Sequence, residues 1–290
     1  MPLKASELIL NEDQSIYHLN LVPEDLGETV IVVGDQNRVP RVSKHFDRID
    51  IKKSRREFVT HTGWLKNKRI SVVSTGIGAD NIDIVLNELD ALVNIDFDSK
   101  SVKEELTRLD IVRIGTSGGI QTDIPVDGMV VSEYAIGFDN VLHFYNSEHI
   151  QHPEMQLAFI DHMDWSVYKS IPYVVAADQE LTGKLMSSRV ILGFTGTNVG
   201  FYGPQGRKLR LGLEDEALNH KMASFEFNGL KITNLEMETS ALFGLASLMG
   251  HRAASINCIL ANRTTGEFSK DPAKAVDKLI AYALEKLVGV

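Results

Sequence analysis

Seven short apolar runs, rich in Val and Ile, most constrain what this chain can fold into. They are Thr29–Gly34, Arg69–Thr75, Asp110–Thr116, Met129–Tyr134, Arg189–Thr195, Lys231–Leu235 and Ala253–Leu260. A strand with one wet face alternates apolar and polar side chains. Most of these runs are apolar at nearly every central position, as in strands covered on both faces. Helical patterns lie between them. Ile82–Leu92 carries Ile82, Val85, Leu86 and Leu89 at helical spacing, and Met237–Met249 reads as a buried helix. In Val276–Leu287, the residues Val276, Leu279, Ile280, Ala283, Leu284 and Leu287 form one stripe. Strands alternating with helices predict an α/β fold, with a central mixed or largely parallel β-sheet flanked by helices.

No linker divides the chain, so residues 1–290 are expected to form a single domain. At 290 residues, 43% hydrophobic and 24% charged, the chain can bury a substantial core. Asn94–Arg108 is polar and is expected to be a surface excursion, part helical. Gly203–Glu216 is the best stretch for a mobile loop or lid. The formal charge of −9 argues against broad attraction to nucleic acid, but a few converging arginines can still hold a small anion. Cys258, the only cysteine, excludes an intrachain disulfide framework and a cysteine metal cluster, and fits a reducing compartment. The first twenty residues lack a basic start followed by an apolar run, and no apolar stretch is long enough to cross a bilayer. A soluble, cytoplasmic protein with no membrane partner is expected.

In open α/β sheets, ligands bind beyond the carboxyl ends of strands, where loops and helix N-termini expose backbone amides. Four runs here end conspicuously. Gly34-Asp35-Gln36-Asn37-Arg38 follows the first, and Thr75-Gly76-Ile77-Gly78 the second. Arg113-Ile114-Gly115-Thr116-Ser117-Gly118-Gly119 closes the third, and Glu236-Met237-Glu238-Thr239 a later one. Any one of these glycines reads as a tight turn, and any one arginine as a surface ion pair. Together they suggest an anion site of backbone amides and guanidinium groups, with phosphate the obvious anion. The P-loop signature is missing, and Asn81 stands where the dinucleotide fingerprint needs its third glycine. The zinc-protease and nucleophile-elbow motifs are also missing. The phosphate is therefore expected to be a free substrate.

These segments, in order from Ile16-Tyr17-His18-Leu19 to Asn262-Arg263, resemble the nucleoside phosphorylase superfamily and within it the uridine phosphorylase branch. The resemblance implies a phosphate site of Gly34, Arg38, Arg113 and Thr116. It also implies that Arg56 reaches the phosphate from a neighbouring subunit, and that His18 crosses the interface to the ribose 5′-hydroxyl. By residue type alone, His18 is an ordinary surface histidine, and Arg56 is part of a basic surface run with Lys52, Lys53 and Arg55. A homo-oligomer follows, a dimer at the least and a hexamer as the larger alternative.

The resemblance places Met237 against the sugar and Glu238 on its 2′- and 3′-hydroxyls. Glu236 and Glu238 share a face if that segment is extended and diverge if it is helical; Glu238 could instead be a helix N-terminal charge. Base recognition falls to Phe201, Gln205 and Arg207, with Gln205 offering a donor and an acceptor to uracil. Gly203-Pro204 inverts the family's usual order, and Gly206 replaces a frequent charged residue. Purine-cleaving relatives place an aspartic acid near the last strand end, to protonate the base. Here Leu260-Ala261-Asn262-Arg263 contains no carboxylic acid, which favours a pyrimidine. The sequon Asn262-Arg263-Thr264 is read as chance.

The implied reaction is phosphorolysis of uridine, with deoxyuridine or thymidine as further substrates, to free base and (deoxy)ribose 1-phosphate. Gln205, Arg207 and Glu238 are the expected catalytic residues. Inorganic phosphate is the co-substrate and no cofactor is needed. A monovalent cation would fall to Glu57, Ile77 and Asn81, but Asn81 replaces the usual serine, so no metal is expected. The alternatives are a purine nucleoside phosphorylase or nucleosidase on the same fold, and a non-catalytic nucleoside-binding protein.

Overall fold

The computed structural model describes residues 2–289. Its elements begin with β1 (Thr29–Val33), α1 (Arg38–Ser43), β2 (Arg48–Arg55), β3 (Phe58–Leu65), β4 (Lys68–Ser74) and α2 (Ala79–Asn94). The two-residue strands β5 (Ile95–Asp96) and β6 (Ser101–Val102) follow, then β7 (Asp110–Gly119), β8 (Met129–Gly137), α3 (Pro153–Met163) and β9 (Tyr173–Ala176). The chain continues through α4 (Gln179–Leu185), β10 (Ile191–Thr197), α5 (Leu218–Ser224), β11 (Glu226–Phe227) and β12 (Leu230–Glu236). It ends with α6 (Thr239–Leu248), β13 (Arg252–Asn262) and α7 (Pro272–Val288).

Eleven strands form one mixed sheet in the order β11-β12-β10-β8-β13-β7-β1-β4-β3-β2, with β9 added on β8. This is the α/β architecture expected from the apolar runs. All five residues of β1 are buried, because both faces of the sheet are covered. Val30 and Val32 pack with Ile82, Leu86 and Leu89 of α2 and with Leu242 and Phe243 of α6. Ile31 and Val33, facing the other way, pack with Leu279, Ile280 and Ala283 of α7. Burying each Leu or Ile side chain in such a layer contributes about 1.5–3 kcal/mol.

One pairing shapes the site. Near its end β12 turns back on β7, antiparallel, with Asn234 opposite Gly119 and Leu235 opposite Gly118. That closes β7, β13, β8, β10 and β12 into a ring. The residues after β12 are thereby carried back along β7, from its end toward Arg113.

Several expectations change. Asn94–Arg108 holds no separate helix: after the last residue of α2 comes the small antiparallel pair β5–β6. The polar stretch satisfies its backbone by strand pairing instead. The Met237–Met249 helix begins at Thr239, so Met237 and Glu238 stand just outside it. Beyond β4, the strands β3 and β2 extend the sheet to its outer edge, where β2 alternates exposed and half-buried residues. Gly203–Glu216 contains one short 3-10 turn, Gly203–Gln205, and is otherwise irregular up to α5. No described helix is long and apolar enough to cross a membrane.

Candidate active site

The carboxyl ends of β1, β4, β7, β10, β12 and β13 supply the site. Arg113, on β7, is its buried hub. Its Nη1 donates to Asn257 Oδ1 at 2.7 Å, and its Nη2 donates to Glu238 Oε2 and lies 3.2 Å from Glu236 Oε2. A methyl group at Gly115 would fall 1.7 Å from Arg113 Nη1. That glycine therefore makes room for the guanidinium rather than for a ligand. Burial pulls the Arg113 pKa down, but Glu236 and Glu238 outweigh it and the group ends above its ordinary value.

Glu236 and Glu238 thus converge. The segment between β12 and α6 is neither a continued strand nor yet a helix, which resolves the choice left by spacing alone. Glu238 Oε1 accepts from the Gly78 amide at 2.9 Å. The glycine-rich end of β4 therefore serves an internal anion, the Glu238 carboxylate, as well as any external one. Burial raises the Glu238 pKa, Arg113 opposes that, and the neighbouring Glu236 charge adds to it. Met237 sits half-buried between the two carboxylates.

Arg38 opens α1, four residues beyond half-buried Gly34 at the end of β1. Its Nη1 donates to the Ile114 carbonyl at 3.0 Å, beside Arg113, and its Nε is buried without a partner. Burial, with Arg113 as a like charge, lowers its pKa to about 10. A buried guanidinium without a carboxylate is a seat for an anion. Half-buried Thr116 lies three residues along β7 from Arg113. Arg113 differs from Arg38 here: it already carries two internal carboxylates, so Arg38 holds the uncompensated charge.

The loop expected to hold the base follows β10. Gln205 is buried, and its Oε1 accepts from Arg207 Nη1 at 2.8 Å and from Arg263 Nη2 at 2.6 Å. Both lone pairs of that oxygen are engaged, which leaves the Nε2 amide to donate; the expected acceptor role of Gln205 is taken by the two arginines. The Arg207 guanidinium stacks 3.6 Å over the half-exposed Phe201 ring and donates to the Phe201 carbonyl at 2.5 Å. Arg263 completes the group by donating to the Gln205 carbonyl at 2.8 Å. A side chain at Gly118 would come within 2.8 Å of Arg263 Nε, so β7 also supports the base loop. Burial and the nearby Arg207 charge lower the Arg263 pKa to about 10.

In the sequence, the stretch around Asn262 stands out only for lacking an acid. Its member in the Gln205 cluster is Arg263. Asn262 is a strut: its Nδ2 donates to the Gln121 and Ile124 carbonyls, both at 2.8 Å, and its Oδ1 accepts from Thr264 and Thr265 amides. A glycan on that nitrogen would break the two bonds to the carbonyls.

Arg56 and His18 stand apart from these clusters within one chain. Arg56 sits at positive φ on the β2–β3 turn, its guanidinium 5.8 Å from the Tyr17 ring centre. His18 Nδ1 lies 2.7 Å from Glu88 Oε1, and the His18 and Leu19 amides donate to the same carboxylate at 2.8–3.0 Å. Glu88, on α2, fixes the imidazole and leaves Nε2 as the group turned away from that bond. Nothing in the sequence spacing marks Glu88, seventy residues from its partner.

The sequence profile of the phosphorylase superfamily matches residues 28–288. The chain belongs to the phosphorylase superfamily. Among members with curated names, it is 28% identical to the uridine phosphorylase of Thermococcus kodakarensis, over 98% of this chain and 90% of that protein. It is 28% identical to the uridine phosphorylase of Escherichia coli, over 94% and 98%. A DeoD-type purine nucleoside phosphorylase of Listeria welshimeri is 23% identical over 93% and 98%. Among solved structures, a Trypanosoma brucei nucleoside phosphorylase described as having uridine phosphorylase activity superposes with a TM-score of 0.87. It is 27% identical, covering 98% of this chain and all of that one. The superfamily match spans every strand of the large sheet and each strand end described above.

Proposed function

We infer that this phosphorylase-superfamily enzyme cleaves uridine with inorganic phosphate, giving uracil and ribose 1-phosphate. The observation that carries the reading is the base loop. Arg207 and Arg263 converge on Gln205, and Asn262, beside Arg263 at the end of β13, is engaged as a strut. Such a pocket offers donors to a base that leaves as an anion stabilised through its carbonyls, as uracil does. It offers no acid to protonate a purine.

Phosphate is the nucleophile, so no protein nucleophile is needed. A phosphate oxygen bonds to C1′, the C1′–N1 bond breaks, and its electron pair goes to uracil, which takes up the proton that the phosphate gives up. Arg38, with Gly34, Thr116 and Arg113, holds the anion beneath the sugar. Glu238 accepts from the 2′- and 3′-hydroxyls, and Met237 packs on the ribose. Phe201 stacks beside the base, which Gln205 and Arg207 hold by their donors. Arg56 and His18 complete the site of a partner subunit, at the phosphate and the 5′-hydroxyl, so the working unit is at least a dimer. No cofactor takes part. The lone, buried Cys258 suits the cytoplasm as its compartment.

The test is a substrate panel in phosphate buffer: uridine, thymidine, inosine and adenosine, with base and sugar phosphate followed by chromatography. Uracil from uridine is expected to outpace any purine base by a wide margin. Faster release of hypoxanthine or adenine would overturn the pyrimidine assignment.

A further inference from the structure

We propose that Glu236 is the positioning residue of the ribose site, a fixed anionic post that never touches substrate and that sets Arg113 and Glu238 in place. The division of labour between the two carboxylates follows from their partners. Glu236 Oε1 accepts from Thr197 Oγ1 at 2.8 Å and from the Thr239 amide at 3.1 Å. Its Oε2 accepts from the amides of Glu238 and Thr239, both at 3.0 Å, and lies 3.2 Å from Arg113 Nη2. A carboxylate has about four lone-pair sites, and here they are filled from inside the protein. Glu238 has only the Gly78 amide and Arg113, and so keeps one site on each oxygen for a ribose hydroxyl.

Every partner of Glu236 is something that fixes the reacting constellation. It holds the backbone of Glu238 itself, that of Thr239 at the start of α6, and the guanidinium that Glu238 grips. Its own anchor is rigid too, because Thr197 Oγ1, at the end of β10, accepts from the Ser240 amide at 2.9 Å. The post therefore ties β10, β12 and α6 together at one oxygen pair. Charge adds a second effect. Arg113, Glu236 and Glu238 sum to one negative charge, the sign that favours the positive charge developing on the ribose. The Glu236 charge also raises the pKa of Glu238, making it a stronger acceptor.

The inference rests on the uridine phosphorolysis reading, and the experiment separates the two. The Glu236→Gln variant keeps the shape and removes the charge. Steady-state kinetics across the acid range, with thermal melting as a folding control, are compared with the unmodified protein. The expected result is a kcat at least about tenfold lower, a KM for phosphate within about twofold, and an acid limb moved to lower pH. That last change follows because Glu238 loses a like-charged neighbour. A merely structural role would lower the melting temperature and leave the limb where it was, and that outcome overturns the proposal, as does an unchanged kcat. Should Glu236→Gln fail to fold, Thr197→Val removes one donor to Glu236, together with the acceptor of the Ser240 amide, and keeps both charges. It is expected to lower kcat with the acid limb unmoved, and a normal kcat in it overturns the proposal. No uridine cleavage by the unmodified protein overturns the underlying reading as well, whereas active wild type with a wild-type-like variant overturns this inference alone.

Discussion

Arg38 and Arg113 are one residue type under opposite electrostatic conditions. Arg113 lies between two carboxylates, whereas Arg38 has a carbonyl, a buried unpaired Nε and a like charge for a neighbour. The Arg38 pKa of about 10 gives the first prediction. Phosphate binds the protonated guanidinium, so deprotonation removes affinity. The KM for phosphate should rise as pH passes about 10, in initial rates measured at saturating uridine. A flat KM through that range would mean that Arg38 keeps its proton there, and an unchanged KM for phosphate in Arg38→Ala would remove it from the anion site. At the base loop, Arg207→Ala and Arg263→Ala each delete one of the two donors on Gln205 Oε1. Removing a preorganised donor costs about 3 kcal/mol, so turnover should fall roughly a hundredfold in each. Melting temperatures should stay close to normal, because the loop lies outside the sheet. Near-normal uridine cleavage by Arg207→Ala would undo the base-site assignment.

Elements differ in how plainly the sequence announces them. β1, β4, β7 and β13 are legible because both their faces are buried, and a continuous Val/Ile run is costly to leave in water. The C-terminal ends of α2 and α7 fall close to where the apolar stripes end, but both helices begin about a turn before the stripe does: α7 starts at Pro272, with Asp271 capping it by accepting from the Lys274 amide. The edge pair β2–β3 is not legible. Its residues Lys52, Lys53, Ser54 and Arg55 read as a basic surface run, although ladder pairing with His61, Thr60, Val59 and Phe58 makes them a strand. Arg263 is hidden for a similar reason: its role depends on a loop fifty-eight residues away, which no local pattern encodes. Conversely, Gly115 and Gly118 read as part of a ligand-cradling strand end, yet they stand where Arg113 and Arg263 need space. At this scale, Asp271→Ala is expected to cost about 1 kcal/mol through loss of the α7 cap. The melting temperature should drop by about 2–4 °C with kcat unchanged. A matching loss of activity would mean that α7 shapes the site more directly than its packing implies.

For the whole molecule, the single chain holds two clusters, the Arg38–Arg113–Glu238 group and the Gln205–Arg207–Arg263 group, while His18 and Arg56 lie elsewhere. A site shared between subunits makes a quantitative prediction. Arg38→Ala and Arg56→Ala proteins should each be nearly inactive alone. If they are mixed and their subunits exchanged, half the dimers are hybrids, and each hybrid has one site free of both changes. The mixture should therefore recover about a quarter of normal activity. No recovery after verified subunit exchange would place Arg56 outside the site.

In the proposed reaction phosphate, and not water, takes the ribose. The direct test is to incubate the purified protein with uridine, with and without inorganic phosphate, and to quantify uracil, ribose and ribose 1-phosphate. Uracil and ribose 1-phosphate are expected in equal amounts, with essentially no cleavage when phosphate is left out. Uracil released with free ribose, at the same rate in the absence of phosphate, would contradict the claim.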